Sequence, residues 1–233
     1  SAPNLNGMSE PIRPTAGRGV LHLFCKPTPL VDGEAVVAAV KAAQNVGVQV
    51  VTVSMLGHKC DAAVMAMHED WRELRTLQTA LQRAGLDVVD SYVSLTEVSD
   101  YATGMPQEML DARLYPTIPP AAHHMPAWCF YPMSKRRAAE ANWFTLPFDE
   151  RKELMHEHGI SGRKFAGRIV QYITASTGLD DYEWGVTLFA VHPDDLKDCV
   201  YTMRFDQASA VYAEFGPFYS GMVVSVEELA ALL

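Results

Sequence analysis

Two kinds of hydrophobic spacing follow one another in a fixed order, and that order constrains the fold more than any other feature. In Gly19–Lys26, Val20, His22 and Phe24 alternate with Leu21, Leu23 and Cys25, the period-2 signature of a strand. Glu34–Val46 switches to helical spacing with Val36, Val37, Val40 and Ala43, and Gly47 ends it. Strands are predicted over Val48–Leu56 and Ala62–Met67, joined by a turn at Gly57–Asp61. Asp70 is placed to cap a helix over Trp71–Ala84, with Leu74, Leu77, Ala80 and Leu81 on one face. Leu86–Val98 then reads as a long strand. The series is β-α-β-β-α-β, the ferredoxin-like motif.

After Gly104 and several prolines, read as a connecting loop over 101–125, the same order returns. Strands are predicted at Ala127–Met133, Arg168–Thr177, Trp184–His192 and Phe215–Val224, with helices at Phe148–His158 and Pro193–Val211. The fold class is α+β: two ferredoxin-like halves, 18–100 and 126–233, with their antiparallel sheets packed or curved into a barrel and helices outside.

Charge excludes several function classes. Nineteen Lys and Arg against 28 Asp and Glu leave a formal charge of −9, which disfavours a general nucleic-acid or anionic-membrane binder. The longest apolar stretch, Val46–Leu56, is far short of the ~20 residues that cross a bilayer. Ser1–Met8 carries neither a basic nor an apolar signal region, so no secretory signal is expected. Cys25, Cys60, Cys129 and Cys199 are scattered, which favours free thiols and a cytoplasmic setting. The chain contains no GxGxxG, GxxxxGK[ST], HExxH or GxSxG motif, so dinucleotide, P-loop, zincin and α/β-hydrolase chemistries are poor candidates.

Polar groups of interest crowd into the second half. In FDERKELMHEHG, Gly159 suits a helix C-terminus, and His158 shares a face with Leu154 and Met155 while His156 lies with Lys152 and Glu153. His158 therefore points inward, either closing the helix through its dipole or serving as a metal or haem-iron ligand. Lys135, Arg136 and Arg137, next to an inward Tyr131, make the densest basic cluster. It is either a solvated strand end or a seat for a polycarboxylate or phosphate. Met133 and Phe130 read as packing residues, Gln171 as a satisfied core hydrogen bonder, and Arg204 and Ser209 as ordinary surface residues. Adjacent His123 and His124 suit a mobile loop better than one chelated ion.

Taken together, CFYPMSKRR, NWFTLP, MHEHGISGRKF, GLDDYEWGVTLF and MRFDQASAVYAEFGPFYSG resemble the chlorite dismutase-like superfamily, and most closely its coproheme decarboxylases. The resemblance is dense from about Arg113 to Met222. It implies a dimeric α+β barrel with the haem site in the C-terminal half, assembled as a homopentamer. It implies iron-coproporphyrin III (coproheme) as substrate, hydrogen peroxide as oxidant and haem b as product, with a possible transient contact to a coproporphyrin ferrochelatase. His158 matches the proximal iron ligand, Tyr131 the radical-forming tyrosine and Lys135 a propionate-binding lysine that assists decarboxylation. Arg113, Arg204 and Ser209 match propionate anchors, Met133 lines the same wall, and Gln171 takes the distal position where chlorite dismutases carry arginine. A neutral Gln171 disfavours the alternative of chlorite dismutation. A non-catalytic haem-binding protein is the other alternative. Gln207 stands where many relatives carry an acidic residue beside the proximal histidine, which weakens the expected imidazolate character of His158.

Overall fold

The structure is a computed structural model that describes residues 10–121 and 124–233. The stretch through Ser9, and His123 with it, lies outside the described residues. The first half runs β1 (Gly19–Pro27), α1 (Gly33–Asn45), β2 (Gln49–Met55), β3 (Ala62–His68), α2 (Trp71–Arg83) and β4 (Leu86–Thr96). A connecting helix, α3 (Gln107–Leu114), leads to β5 (Ala127–Lys135) and a small hairpin of β6 (Arg137–Ala138) and β7 (Ala141–Asn142). There follow α4 (Phe148–Arg163), β8 (Ile169–Ala175), β9 (Trp184–Ala190), α5 (Pro193–Met203), α6 (Gln207–Tyr212), β10 (Ala213–Phe215), β11 (Tyr219–Val224) and α7 (Val226–Ala231).

Among the described residues nine strands form one sheet in the order β10-β5-β11-β2-β3-β1-β4-β8-β9, and β9 pairs back on β5. That last pairing closes the sheet into a barrel, so the two halves share one wall and leave no long open edge. Each strand presents alternate residues to two buried environments. Val20, Phe24, Met65, Trp128, Phe130 and Phe189 fill the interior. Leu21, Leu23 and Val64 point outward and pack against Val36 and Val40 of α1 and Leu77 and Leu81 of α2. A smaller outer cluster, Cys129, Tyr131, Val186 and Leu188, meets Leu196 and Val200 of α5. Each fully buried Leu or Phe is worth about 1.5–3 kcal/mol. The double burial of β1 explains why its sequence is apolar on both faces. The capping expected of Asp70 is present, its carboxylate accepting from Arg72 N at 3.0 Å.

Several boundaries differ from expectation. The connection at 101–125 contains α3, which buries no residue and so has no apolar period to read. Gly159 does not end α4, which runs on to Arg163. His158 therefore lies inside the helix, and dipole closure at a C-terminus does not account for it. The helix expected over Pro193–Val211 is two helices, broken where Asp206 accepts a hydrogen bond from Ser209 N at 2.9 Å and caps α6. The last strand is likewise divided into β10 and β11. At the break, a Cβ on Gly216 would come within 2.6 Å of Pro132 Cγ and 2.7 Å of Tyr182, so only glycine lets this loop lie against β5. Among the described residues no helix is long and apolar enough to cross a membrane.

Candidate functional site

β5 supplies one wall. Its alternation puts Cys129, Tyr131, Met133 and Lys135 on the outer, helix-facing side, with Trp128 and Phe130 inside. Tyr131 and Lys135 are four residues apart, about 13 Å along the strand. Tyr131 is buried, stacked on Phe218 (centroids 4.5 Å, planes 22°) and edge-on to Phe215 at 5.5 Å. Its hydroxyl has no hydrogen-bond partner among the described residues. Burial pushes its acidity well below that of an ordinary phenol, so the group is neutral at physiological pH. Arg204, the C-cap of α5, lies 4.4 Å from the Phe215 ring centre, and the same arginine works against the burial effect on Tyr131.

The expected basic cluster divides at Lys135. Arg136 pairs loosely with Glu214 at 3.6 Å and Arg137 is exposed, as a solvated strand end would be. Lys135 is buried at 6% exposure, with Nζ 3.4 Å from the Ala208 carbonyl and 4.8 Å from the Trp143 ring centre. The β6–β7 hairpin turns the chain so that Trp143 comes under the ammonium. Burial lowers the Lys135 pKa from 10.5 to about 8, opposed in part by Asp206 and Glu183. No carboxylate forms a salt bridge with it among the described residues.

His158 stands on α4. Its Nδ1 is 2.9 Å from Asp206 Oδ2 and 3.3 Å from Ser209 Oγ. An Nδ1–H donated to the carboxylate leaves the Nε2 lone pair for a ligand, the arrangement found in many metal-binding histidines. This corrects the expectation drawn from position 207. The acidic partner is Asp206, one residue earlier, while Gln207 N donates to Glu157 Oε1 at 3.1 Å. It also moves Ser209 from the surface to a buried place beside the histidine (7% exposed).

On β8, Gln171 shares the outer face with Ile169 and Ile173, opposite Leu188 and Val186 of β9. Gln171 is half-buried and has no hydrogen-bond partner among the described residues, so it is not a satisfied core residue. Ile173 is 46% exposed, an apolar strand residue left uncovered beside the site. Arg113 stands apart, exposed on α3, and no hydrogen bond, ion pair or ring contact joins it to the other site residues. His124 is exposed.

These features fit an iron porphyrin. One histidine with a fixed tautomer suffices for iron already held by a macrocycle, and among the described residues no group of three or more His, Cys, Asp or Glu forms a site for a bare ion. The uncovered Ile173 and half-buried Met133 offer apolar contact, while Lys135 and Arg204 are cations that form no salt bridge among the described residues. Sequence reading missed Asp206, Trp143, Phe215 and Phe218. Asp206 was detectable, since Asp206-Gln-Ala-Ser209 is a helix N-cap pattern inside what reads as one helix.

A coproheme decarboxylase of Staphylococcus carnosus is 43% identical over 188 residues, covering 76% of this chain and 73% of that one. A candidate heme-binding protein of Natronomonas pharaonis is 46% identical over 199 residues, covering 77% of this chain. The match spans only 32% of that longer relative. Among solved structures, a heme-binding protein from Thermus thermophilus superposes with a TM-score of 0.81 at 33% identity, covering 95% of this chain and 98% of that one. The profile of the Chlorite dismutase family matches residues 31–224, and the chain belongs to that family.

Proposed function

We propose that this protein is a coproheme decarboxylase, which uses peroxide to convert two propionates of iron-coproporphyrin III to vinyl groups and so makes haem b. The observation that carries the reading is the row on β5: a buried phenol with no hydrogen-bond partner at Tyr131, and four residues on a buried ammonium at Lys135 that forms no salt bridge among the described residues. A substrate with several carboxylates supplies what both lack. The half-buried Met133 lies between them.

The iron porphyrin reacting with peroxide supplies the oxidising power. His158 holds the iron through Nε2, and Asp206 with Ser209 keeps its ring turned and its proton on Nδ1. Lys135 and Arg204 hold propionates as charge-assisted hydrogen bonds. Arg113, exposed on α3, is included as a further propionate anchor on the resemblance alone. Tyr131, oxidised to its phenoxyl form, takes a hydrogen atom from a propionate. Carbon dioxide leaves, the remaining electron passes to the oxidised iron porphyrin, and a vinyl group forms. Each vinyl therefore consumes the two oxidising equivalents of one peroxide. A neutral Gln171 offers no cation to hold chlorite, which speaks against chlorite decomposition. The reading carries with it a homopentamer, a cytoplasmic setting consistent with four free, buried thiols, and hand-over from a ferrochelatase-type enzyme.

Replacement Tyr131→Phe tests the assignment. It is expected to leave coproheme affinity nearly unchanged and to abolish release of carbon dioxide. Normal haem b formation by this variant would overturn the role given to Tyr131.

A further inference from the structure

Behind Tyr131 the chain carries a second phenol in a different chemical setting. Phe218, on which Tyr131 stacks, is followed directly by Tyr219, whose ring faces into the barrel and stacks on Phe24 at 4.0 Å and 21°. The Tyr219 hydroxyl donates a hydrogen bond to Asp90 Oδ2. Tyr219 is buried, whereas Asp90 is exposed on β4. Lys59, in the β2–β3 turn, donates from Nζ to the Phe218 carbonyl and lies 5.4 Å from the Tyr219 ring centre. That contact from the N-terminal half fixes the backbone between the two stacked rings.

A phenol that loses an electron becomes a strong acid, so oxidation is easier where a base already accepts its proton. Tyr219 has such a base and Tyr131 has none. An oxidising equivalent placed on Tyr131 therefore runs downhill to Tyr219, through one stacked ring and one peptide link.

We propose that the Tyr219–Asp90 pair is a second redox-active site, a sink that draws the oxidising equivalent off Tyr131 when no propionate is in place to react. The inference rests on the reading of Tyr131 as a radical-forming tyrosine. In the transfer, one electron passes from the Tyr219 phenol to the Tyr131 phenoxyl radical. The Tyr219 proton moves to the Asp90 carboxylate, which returns it to water, and Tyr131 regains its proton from water. Tyr131 is again a phenol, and Tyr219 is left one-electron oxidised.

The test loads the protein with haem b, which presents fewer propionates to react, adds one equivalent of peroxide and freezes the mixture for electron paramagnetic resonance. Wild type, Tyr131→Phe, Tyr219→Phe and Asp90→Asn are compared. The wild-type tyrosyl spectrum is expected to contain a component that disappears in Tyr219→Phe and in Asp90→Asn. Tyr219→Phe is expected to keep normal decarboxylation with coproheme while losing porphyrin absorbance sooner under excess peroxide. A Tyr219→Phe spectrum superimposable on that of wild type, with the signal lost in Tyr131→Phe, overturns the sink and leaves the function intact. No tyrosyl signal in any sample overturns the Tyr131 reading and the sink together. A second readout uses the porphyrin-free protein, photo-oxidised with a ruthenium tris-bipyridine sensitiser and persulfate. Loss of phenoxyl yield in Asp90→Asn is the expected result, and equal yields contradict the pair.

Discussion

Asp206→Asn separates two jobs that one carboxylate performs. Oδ1 accepts from Ser209 N at 2.9 Å and caps α6, while Oδ2 sits 2.9 Å from His158 Nδ1. Asparagine caps helices about as well as aspartate, so α6 survives when its carbonyl keeps the Ser209 contact. Its amide then faces Nδ1 as a donor, which moves the imidazole proton to Nε2, the nitrogen that the iron needs. Turned the other way, the amide keeps the histidine contact but opposes two donors at the cap. Either arrangement removes one charge-assisted hydrogen bond, about 1.5–3 kcal/mol. At 1.4 kcal/mol per decade, that is roughly a 10- to 150-fold loss of affinity. Removing the outer partner of a metal-binding histidine has effects of similar size, about 10- to 100-fold. The assay is a Soret titration of porphyrin-free protein with ferric coproporphyrin III, beside a thermal melt. Asp206→Asn is expected to bind weakly with a shifted Soret band. Asp206→Ala is expected to add a loss of stability of about 1 kcal/mol from the missing cap. Wild-type affinity and an unmoved Soret band in Asp206→Asn would refute the placement of the iron on His158 under Asp206.

Two further outcomes follow from buried titratable groups. Lys135, with its pKa lowered to about 8, is charged below that value and neutral above it, so coproheme affinity is expected to fall as pH rises through about 8. Lys135→Met should flatten that profile and weaken binding about 10-fold or more, as read by Soret titrations at several pH values. His22, fully buried inside the barrel with Nε2 2.9 Å from Thr187 Oγ1, has its pKa lowered from 6.5 to about 3 by desolvation. The native state then binds no proton there while the unfolded state does, so its stabilising effect is complete above pH 6.5 and is lost as pH falls toward 3. The loss is up to about 1.4 kcal/mol per pH unit, and His22→Gln should shrink that slope in denaturant titrations between about pH 6 and 4.

The barrel was legible because its strands and helices repeat an unmixed period. β1 shows it best: His22 belongs with Val20 and Phe24 by alternation, and the structure places all three inside. Helix ends were harder. Gly159 has the residue type of a helix stop, but α4 continues through it, because tertiary contacts such as His158 to Asp206 outweigh the roughly 1 kcal/mol a helical glycine costs. The site was half legible. Tyr131, Met133 and Lys135 fall on one strand face by period 2, and His158 falls on the inward helix face by period 3.6. Asp206, Trp143 and Phe218 reach the site only because α6, the β6–β7 hairpin and the Gly216 loop fold back on β5. Pattern within one element carries no record of such long-range approach.

The site of Tyr131, Lys135 and His158 is proposed to turn propionates into vinyl groups. The direct test loads porphyrin-free protein with ferric coproporphyrin III, adds peroxide in steps and follows the porphyrin by mass spectrometry. Successive loss of two carboxyl groups, through a singly decarboxylated intermediate, is the expected result. Tight binding followed only by bleaching, with all four carboxyl groups retained until the ring is destroyed, would contradict it.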